Sequence, residues 1–162
     1  MEVSARNIAI ATGAAVLVSA FAYAIGHQRG RGREQRVNLA RYRWKNRVLL
    51  VFAPNGDDPS FQQQMGQLAS QSAGVRERDV LVLPILADGH GGVASRRDAA
   101  MLAKAYGVPR GAFETVLLDK DGSVVRTNER PIPVATLFDV IEGSPLRQQE
   151  PRRRTSPLIG MK

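Results

Sequence analysis

The sequence predicts a three-layer α/β fold, a mixed central sheet of about four strands with flanking helices, plus an N-terminal hydrophobic helix. Three observations carry this prediction. Two short runs rich in branched apolar residues, Arg47 to Phe52 and Asp79 to Leu86, bracket a stretch with helical periodicity, the pattern of a parallel strand–helix–strand unit. A third run, Phe113 to Leu118, leads into the turn-forming Asp119 to Gly122 and a returning strand. Ile8 to Ile25 carries no charge and no polar face.

Residues 1–26 read as a signal peptide or a transmembrane anchor. Ile8 to Ile25 just reaches the length that crosses a hydrocarbon core of roughly 30 Å, so residues 8–25, if uncleaved, would make the membrane a partner. The same stretch follows Arg6 and ends in Ala22-Tyr23-Ala24, a small-residue cleavage pattern. Cleavage would export the domain, whereas the basic residues after the segment would keep it cytoplasmic. Residues 27–38 are poor in apolar groups and rich in Gly and Arg, the composition of a flexible basic linker, and Arg29, Arg31, Arg33 and Arg36 suit anionic lipid headgroups.

Residues 39–150 form the expected domain. Val37 to Lys45 reads as a short helical lead-in, with Leu39, Tyr42 and Trp44 toward an edge of the core. Arg47 to Phe52 suits a strand buried on both faces. Ala53 to Ser60 is dense in turn formers, with Asp58 as N-cap and Pro59 opening a helix to about Ser72, whose apolar face is Phe61, Met65, Leu68 and Ala69. Pro84 within the second strand points to a sheet edge or a bulge. Ser95 caps a helix to about Tyr106, stopped by Gly107 and Pro109. Phe113 to Leu118 and Ser123 to Thr127 make the hairpin, and Val134 to Glu142 a last helix burying Leu137, Phe138 and Ile141. Residues 151–162 read as a basic disordered tail.

The net charge of +8 is not spread evenly. Val48 to Leu146 is mildly acidic, with nine basic and twelve acidic residues, while the flanks His27 to Arg47 and Arg147 to Lys162 carry the excess. Zero cysteines exclude a disulfide framework, a zinc-thiolate site, an iron–sulfur cluster and a cysteine nucleophile. His27 and His90 lack ligand spacing, and no metal or other cofactor is expected.

The β-α-β-α-β-β-α order is that of thioredoxin. Tyr106-Gly107-Val108, Thr115 to Leu118 and Lys120-Asp121-Gly122 resemble the corresponding thioredoxin segments. More specifically, NRVLLVFAP at Asn46 to Pro54, LLDKDGSV at Leu117 to Val124 and SPLRQQE at Ser144 to Glu150 resemble an uncharacterised thioredoxin-like family, the domain of unknown function 4174. That resemblance implies the fold, kinship with domains in secreted animal matrix proteins and an extracytoplasmic bias, but no established reaction. Its motif positions here are Arg47, Lys120, Asp121, Gly122, Pro145, Arg147 and Glu150. Where thioredoxin carries its two cysteines this chain has Pro54 to Pro59, and where thioredoxin carries its substrate-facing proline it has Glu114.

Thiol exchange needs a thiolate, so disulfide oxidoreductase activity is excluded on chemical grounds. No catalytic residue is assigned. The candidate ligand or interaction loop is Asn55, Asp57 and Asp58, with Glu114 and Thr115. Capping and turn formation are the commoner roles of the two aspartates, with metal binding or acid–base chemistry as the alternative. The leading functional expectation is a non-redox binding or interaction domain, membrane-tethered or exported, with its protein partner unknown. The alternatives are an enzyme using Asp57 and Asp58 with Glu114, or anionic-surface or RNA binding by the basic arms. Two Arg-Gly units are too few to favour nucleic acid. Arg147 suits pairing with a carboxylate near the end of the domain.

Overall fold

Seven consecutive buried residues, Arg47–Ala53, form β1. In the computed structural model, which describes residues 37–150, this strand lies inside a four-stranded sheet. A short 3₁₀ turn, Leu39–Tyr42, precedes it. After it come α1 (Pro59–Ser70), α2 (Ser72–Glu77), β2 (Val80–Leu86), α3 (Arg96–Tyr106), β3 (Glu114–Leu118), β4 (Val124–Asn128), α4 (Val134–Glu142) and α5 (Pro145–Gln149). The sheet order is β2-β1-β3-β4. β1 runs parallel to β2, with Leu50 opposite Leu83, and antiparallel to β3, with Leu50 opposite Val116.

Because successive side chains of a strand point to opposite faces, β1 serves two cores. Leu49, Val51 and Ala53 pack with Phe61, Met65 and Leu68 of α1, Val75 of α2, and Leu137 and Ile141 of α4. Val48, Leu50 and Phe52 face Ala99 of α3 and Val108, with Leu102, Ala103 and Tyr106 partly covering them. Each such Leu or Phe contributes about 1.5–3 kcal/mol by leaving water. Helices on both faces are what let β1 be apolar from Val48 to Ala53.

The helix ends follow local chemistry. The Asp58 carboxylate accepts from the Phe61 amide at 2.9 Å, and Pro59 occupies the first turn, where no N–H is needed. Ser95 accepts from the Asp98 amide at 3.2 Å and its hydroxyl donates to the Asp98 carboxylate at 2.9 Å. α3 ends at Gly107, whose φ of 73° is left-handed and readily adopted without a Cβ. Pro84 is accommodated because β2 is an outer strand, and its carbonyl accepts from the Val93 amide at 3.0 Å.

Several details differ from the sequence reading. α1 stops at Ser70 and α2 follows, bringing Gly74 so close to α4 that an added Cβ would lie 2.7 Å from the Phe138 ring. Gln64 is fully buried, although polar, because its amide pairs with both backbone groups of Ile132, accepting at 2.8 Å and donating at 3.3 Å. The five-residue α5 is too short to show a period. Trp44 does not cover the core. It is 69% exposed, with a left-handed φ of 63°, a conformation costing a bulky residue roughly 1–2 kcal/mol.

The membrane placement expected from sequence is corrected. Among the described residues no helix is long and apolar enough to cross a membrane. The longest, α1, has 12 residues and an uneven distribution of apolar groups, and at 1.5 Å per residue it falls well short of roughly 30 Å. The transmembrane, signal-peptide and membrane-anchored or exported, extracytoplasmic assignments therefore gain no support. The segment 8–25, the linker arginines Arg29, Arg31, Arg33 and Arg36, His27 and the tail 151–162 lie outside the described residues. The anionic-lipid assignment is corrected with it: the ion-paired basic groups Arg47, Arg78, Lys120 and Arg147 are buried or half-buried against carboxylates rather than presented to a surface.

Candidate functional site

The parallel pairing of β1 and β2 brings their carboxyl ends to the same end of the sheet, where α/β folds place ligands. Residues 54–58 leave β1 there, and Glu114 joins them through its register opposite Phe52. The predicted loop residues are largely committed to their own backbone. Asn55 accepts from the Asp57 amide at 3.0 Å, the Gln62 side-chain amide donates to the Gly56 carbonyl, and Asp58 caps α1. Asp57 is exposed. Thr115 is buried opposite Val51, its hydroxyl donating to the Asn128 carbonyl at 3.5 Å.

Glu114 is partly buried, and that burial, reinforced by the nearby Glu129 carboxylate, pushes its pKa up. Among the described residues no hydrogen bond or ion pair joins Glu114 to Asn55, Asp57 or Asp58, and no group of three or more His, Asp or Glu is placed to hold a metal. Asn55 and Asp58 supply turn and cap chemistry.

Beside this loop lies a feature that the sequence reading missed. A cleft of about 50 Å³ opens between α3 and the chain around Val108 to Ala112. Phe52, Ile85, Ala99, Ala103 and Val108 make its walls apolar, and Arg96 and Arg110 stand among its lining residues. Arg96 donates from Nε and Nη2 to the Asp88 carbonyl at 3.3 Å. Arg110 is exposed and makes no hydrogen bond or ion pair among the described residues. The only sequence clue was a cation fixed between Pro109 and Gly111, in a loop that returns to the sheet end.

At the opposite end, the strand-start side of β1, most of the family-motif charges meet. Arg47, 1% exposed, places Nε 3.0 Å from Asp119 and Nη2 3.0 Å from Glu150. The Nε contact is close but poorly angled for a hydrogen bond. Lys120 lies 2.9 Å from both Glu150 and Asp79, and Arg147 bridges Glu150 at 3.0 Å and Glu142 at 3.3 Å. The Ser144 hydroxyl donates to Asp119. Burial alone would raise the Glu150 pKa, but the hydrogen bonds from Lys120, Arg47 and Arg147 hold it at about 2. Asp121 and Gly122 shape the hairpin turn, where Asp121 accepts from the Ser123 amide at 2.8 Å, and Pro145 opens α5. These charges pair with one another and hold the chain together.

A strand–helix–strand half, an antiparallel hairpin and a covering helix, with a cysteine-free loop at the usual site, define a thioredoxin-like domain of the non-redox kind. Solved structures agree on the fold. Plasmodium yoelii thioredoxin peroxidase I superposes with a TM-score of 0.52 at 22% identity, covering 65% of this chain and 76% of that one. The reduced 2-Cys peroxiredoxin of Plasmodium vivax gives 0.51 at 21% identity, covering 65% and 81%. The chain belongs to the family described as Domain of unknown function (DUF4174), whose pattern matches residues 38–150. It is also 27% identical over 132 residues to Coiled-coil domain-containing protein 80 of Danio rerio, a match covering 69% of this chain and 15% of that much longer protein. Thiol–disulfide exchange needs a cysteine thiolate, and this chain has no cysteine.

Proposed function

We propose that the domain is a non-catalytic binding module, and that its ligand seat is the cleft between α3 and the Val108 to Ala112 segment. The observation that carries this reading is an apolar cleft at the ligand end of the sheet with two guanidinium groups in its lining, one of them unpaired. Apolar walls favour a short hydrocarbon body and the arginines favour a carboxylate, which a guanidinium grips with two parallel hydrogen bonds. The committed oxygens of Asn55 and Asp58 leave the neighbouring loop a shaping role.

Amide NMR of the protein titrated with butyrate tests this. Shifts should cluster at Arg96, Ala99 and Arg110 to Ala112, butylamine should give none, and Arg110→Ala should weaken binding about tenfold, the loss of roughly one charge-assisted contact. Equal responses to acid and amine, or shifts confined to other parts of the domain, would overturn the assignment.

A further inference from the structure

The side of the domain that carries Trp44 has features that neither the cleft nor the ion-pair network uses. Trp44 is the sole tryptophan and, among the described residues, the most exposed of the large apolar side chains, at 69%. Its backbone is held: the amide donates to the Lys120 carbonyl at 2.6 Å, and the left-handed residue sits between the 3₁₀ turn and β1. Backbone strain is retained where surrounding structure enforces it, and an exposed indole on such a backbone is a configuration that burial in the domain itself does not explain.

Three cations, Arg41, Arg43 and Lys45, alternate with Tyr42 and Trp44 along this segment, and all three are exposed. None forms an ion pair within 4 Å among the described residues, in contrast to Arg47 two positions further on, although Arg43 lies over the hairpin turn near the Asp121 carboxylate. Arg41 lies over the Tyr42 ring at 5.3 Å. Next to them an open groove of about 210 Å³ is lined by Leu39, Tyr42, Arg43, Asn46 and Tyr106, among others. Tryptophan, tyrosine and arginine are the residue types that dominate binding energy at protein interfaces.

We infer that Trp44, the groove between Tyr42 and Tyr106, and the cations Arg41, Arg43 and Lys45 form a docking surface for an acidic peptide segment that carries an apolar side chain. The groove takes the apolar side chain, the indole packs across the peptide, and the exposed cations, Arg41 and Lys45 foremost, meet its carboxylates. Charge complementarity chooses this occupant. A short acidic segment reaches only the basic strip, whereas a long polyanion would also meet the remainder of the domain, where Val48 to Leu146 is net acidic. Among the residues forming the strip only one aromatic side chain, Trp44, is exposed rather than half-buried, fewer than a stacking track for single-stranded nucleic acid uses.

The lone tryptophan is also the reporter. The full chain is titrated with a blocked peptide alternating Glu and Leu, with the matching Lys and Leu peptide, and with a single-stranded oligouridylate, following Trp44 emission and binding heat. The Glu and Leu peptide should blue-shift the emission and bind, the Lys and Leu peptide should do neither, and Lys45→Glu should weaken binding about tenfold. Trp44→Ala should abolish the heat while leaving far-UV circular dichroism unchanged, since the side chain is outside the core. No emission shift with the acidic peptide at millimolar concentration, an equal shift with the basic one, or tighter binding of the oligouridylate would each overturn the inference.

Discussion

Glu150→Gln removes one negative charge from a carboxylate that three cations share. Arg47 donates to it at 3.0 and 3.4 Å, Arg147 at 3.0 Å, and Lys120 lies 2.9 Å away. The group is 20% exposed and titrates at about 2 when folded, against an ordinary value of 4.5. That difference corresponds to about 3 kcal/mol. The folded value lies below the unfolded one, so between the two the unfolded chain binds more protons. The stabilisation is therefore complete above the unfolded value and fades as pH falls through the folded one. Urea unfolding followed by far-UV circular dichroism over about pH 7 to pH 2 reads it; emission is a poor probe, since Trp44 is already exposed in the native state. At pH 7 the variant should be about 3 kcal/mol less stable than the parent, and the gap should close toward pH 2. An offset that stays constant down to pH 2 would show that the loss comes from packing, and the charge argument would be refuted.

Two further outcomes follow from buried or crowded polar groups. Gln64→Leu keeps the side-chain bulk but strands the amide and carbonyl of Ile132, two buried backbone groups; the cost should be about 2–4 kcal/mol, seen as a drop on the order of 10 °C or more in melting temperature, and a drop under about 3 °C would contradict it. Glu114→Gln acts in the opposite sense. Burial first, and Glu129 second, raise the Glu114 pKa, so the folded state loses stability as pH rises past the ordinary carboxylate range. The amide should leave stability unchanged in acid and increase it slightly at pH 7, by less than about 1 kcal/mol for so accessible a group. A variant less stable than the parent at pH 7 would be inconsistent with this.

The strands were legible because β1 and β2 are short branched runs with turn formers at their borders, and α3 because Ser95 and Gly107 punctuate it. What escaped the sequence depends on long-range partners. Arg47, Lys120, Arg147 and Glu150 could be picked out by their motifs, but their convergence joins positions 103 residues apart and has no local signature. Gln64 breaks an apolar periodicity for the sake of a loop 68 residues away. The reversal of Trp44 from core edge to solvent turns on the sign of one backbone angle, which a run of aromatic and basic residues does not encode. At the sheet end, the cap role of Asp58 was readable from Pro59, whereas the cleft and its arginines exist only once α3 and the Val108 to Ala112 segment are packed together.

The bond between Arg47 and Glu150 ties the opening of the first strand to the close of the final helix. A polypeptide therefore enters and leaves the described domain at one pole, with the cleft at the other. Such a unit behaves like a cassette: it can be spliced into a longer chain without separating its neighbours or covering its far face. A match spanning 15% of a much larger relative is what that geometry permits.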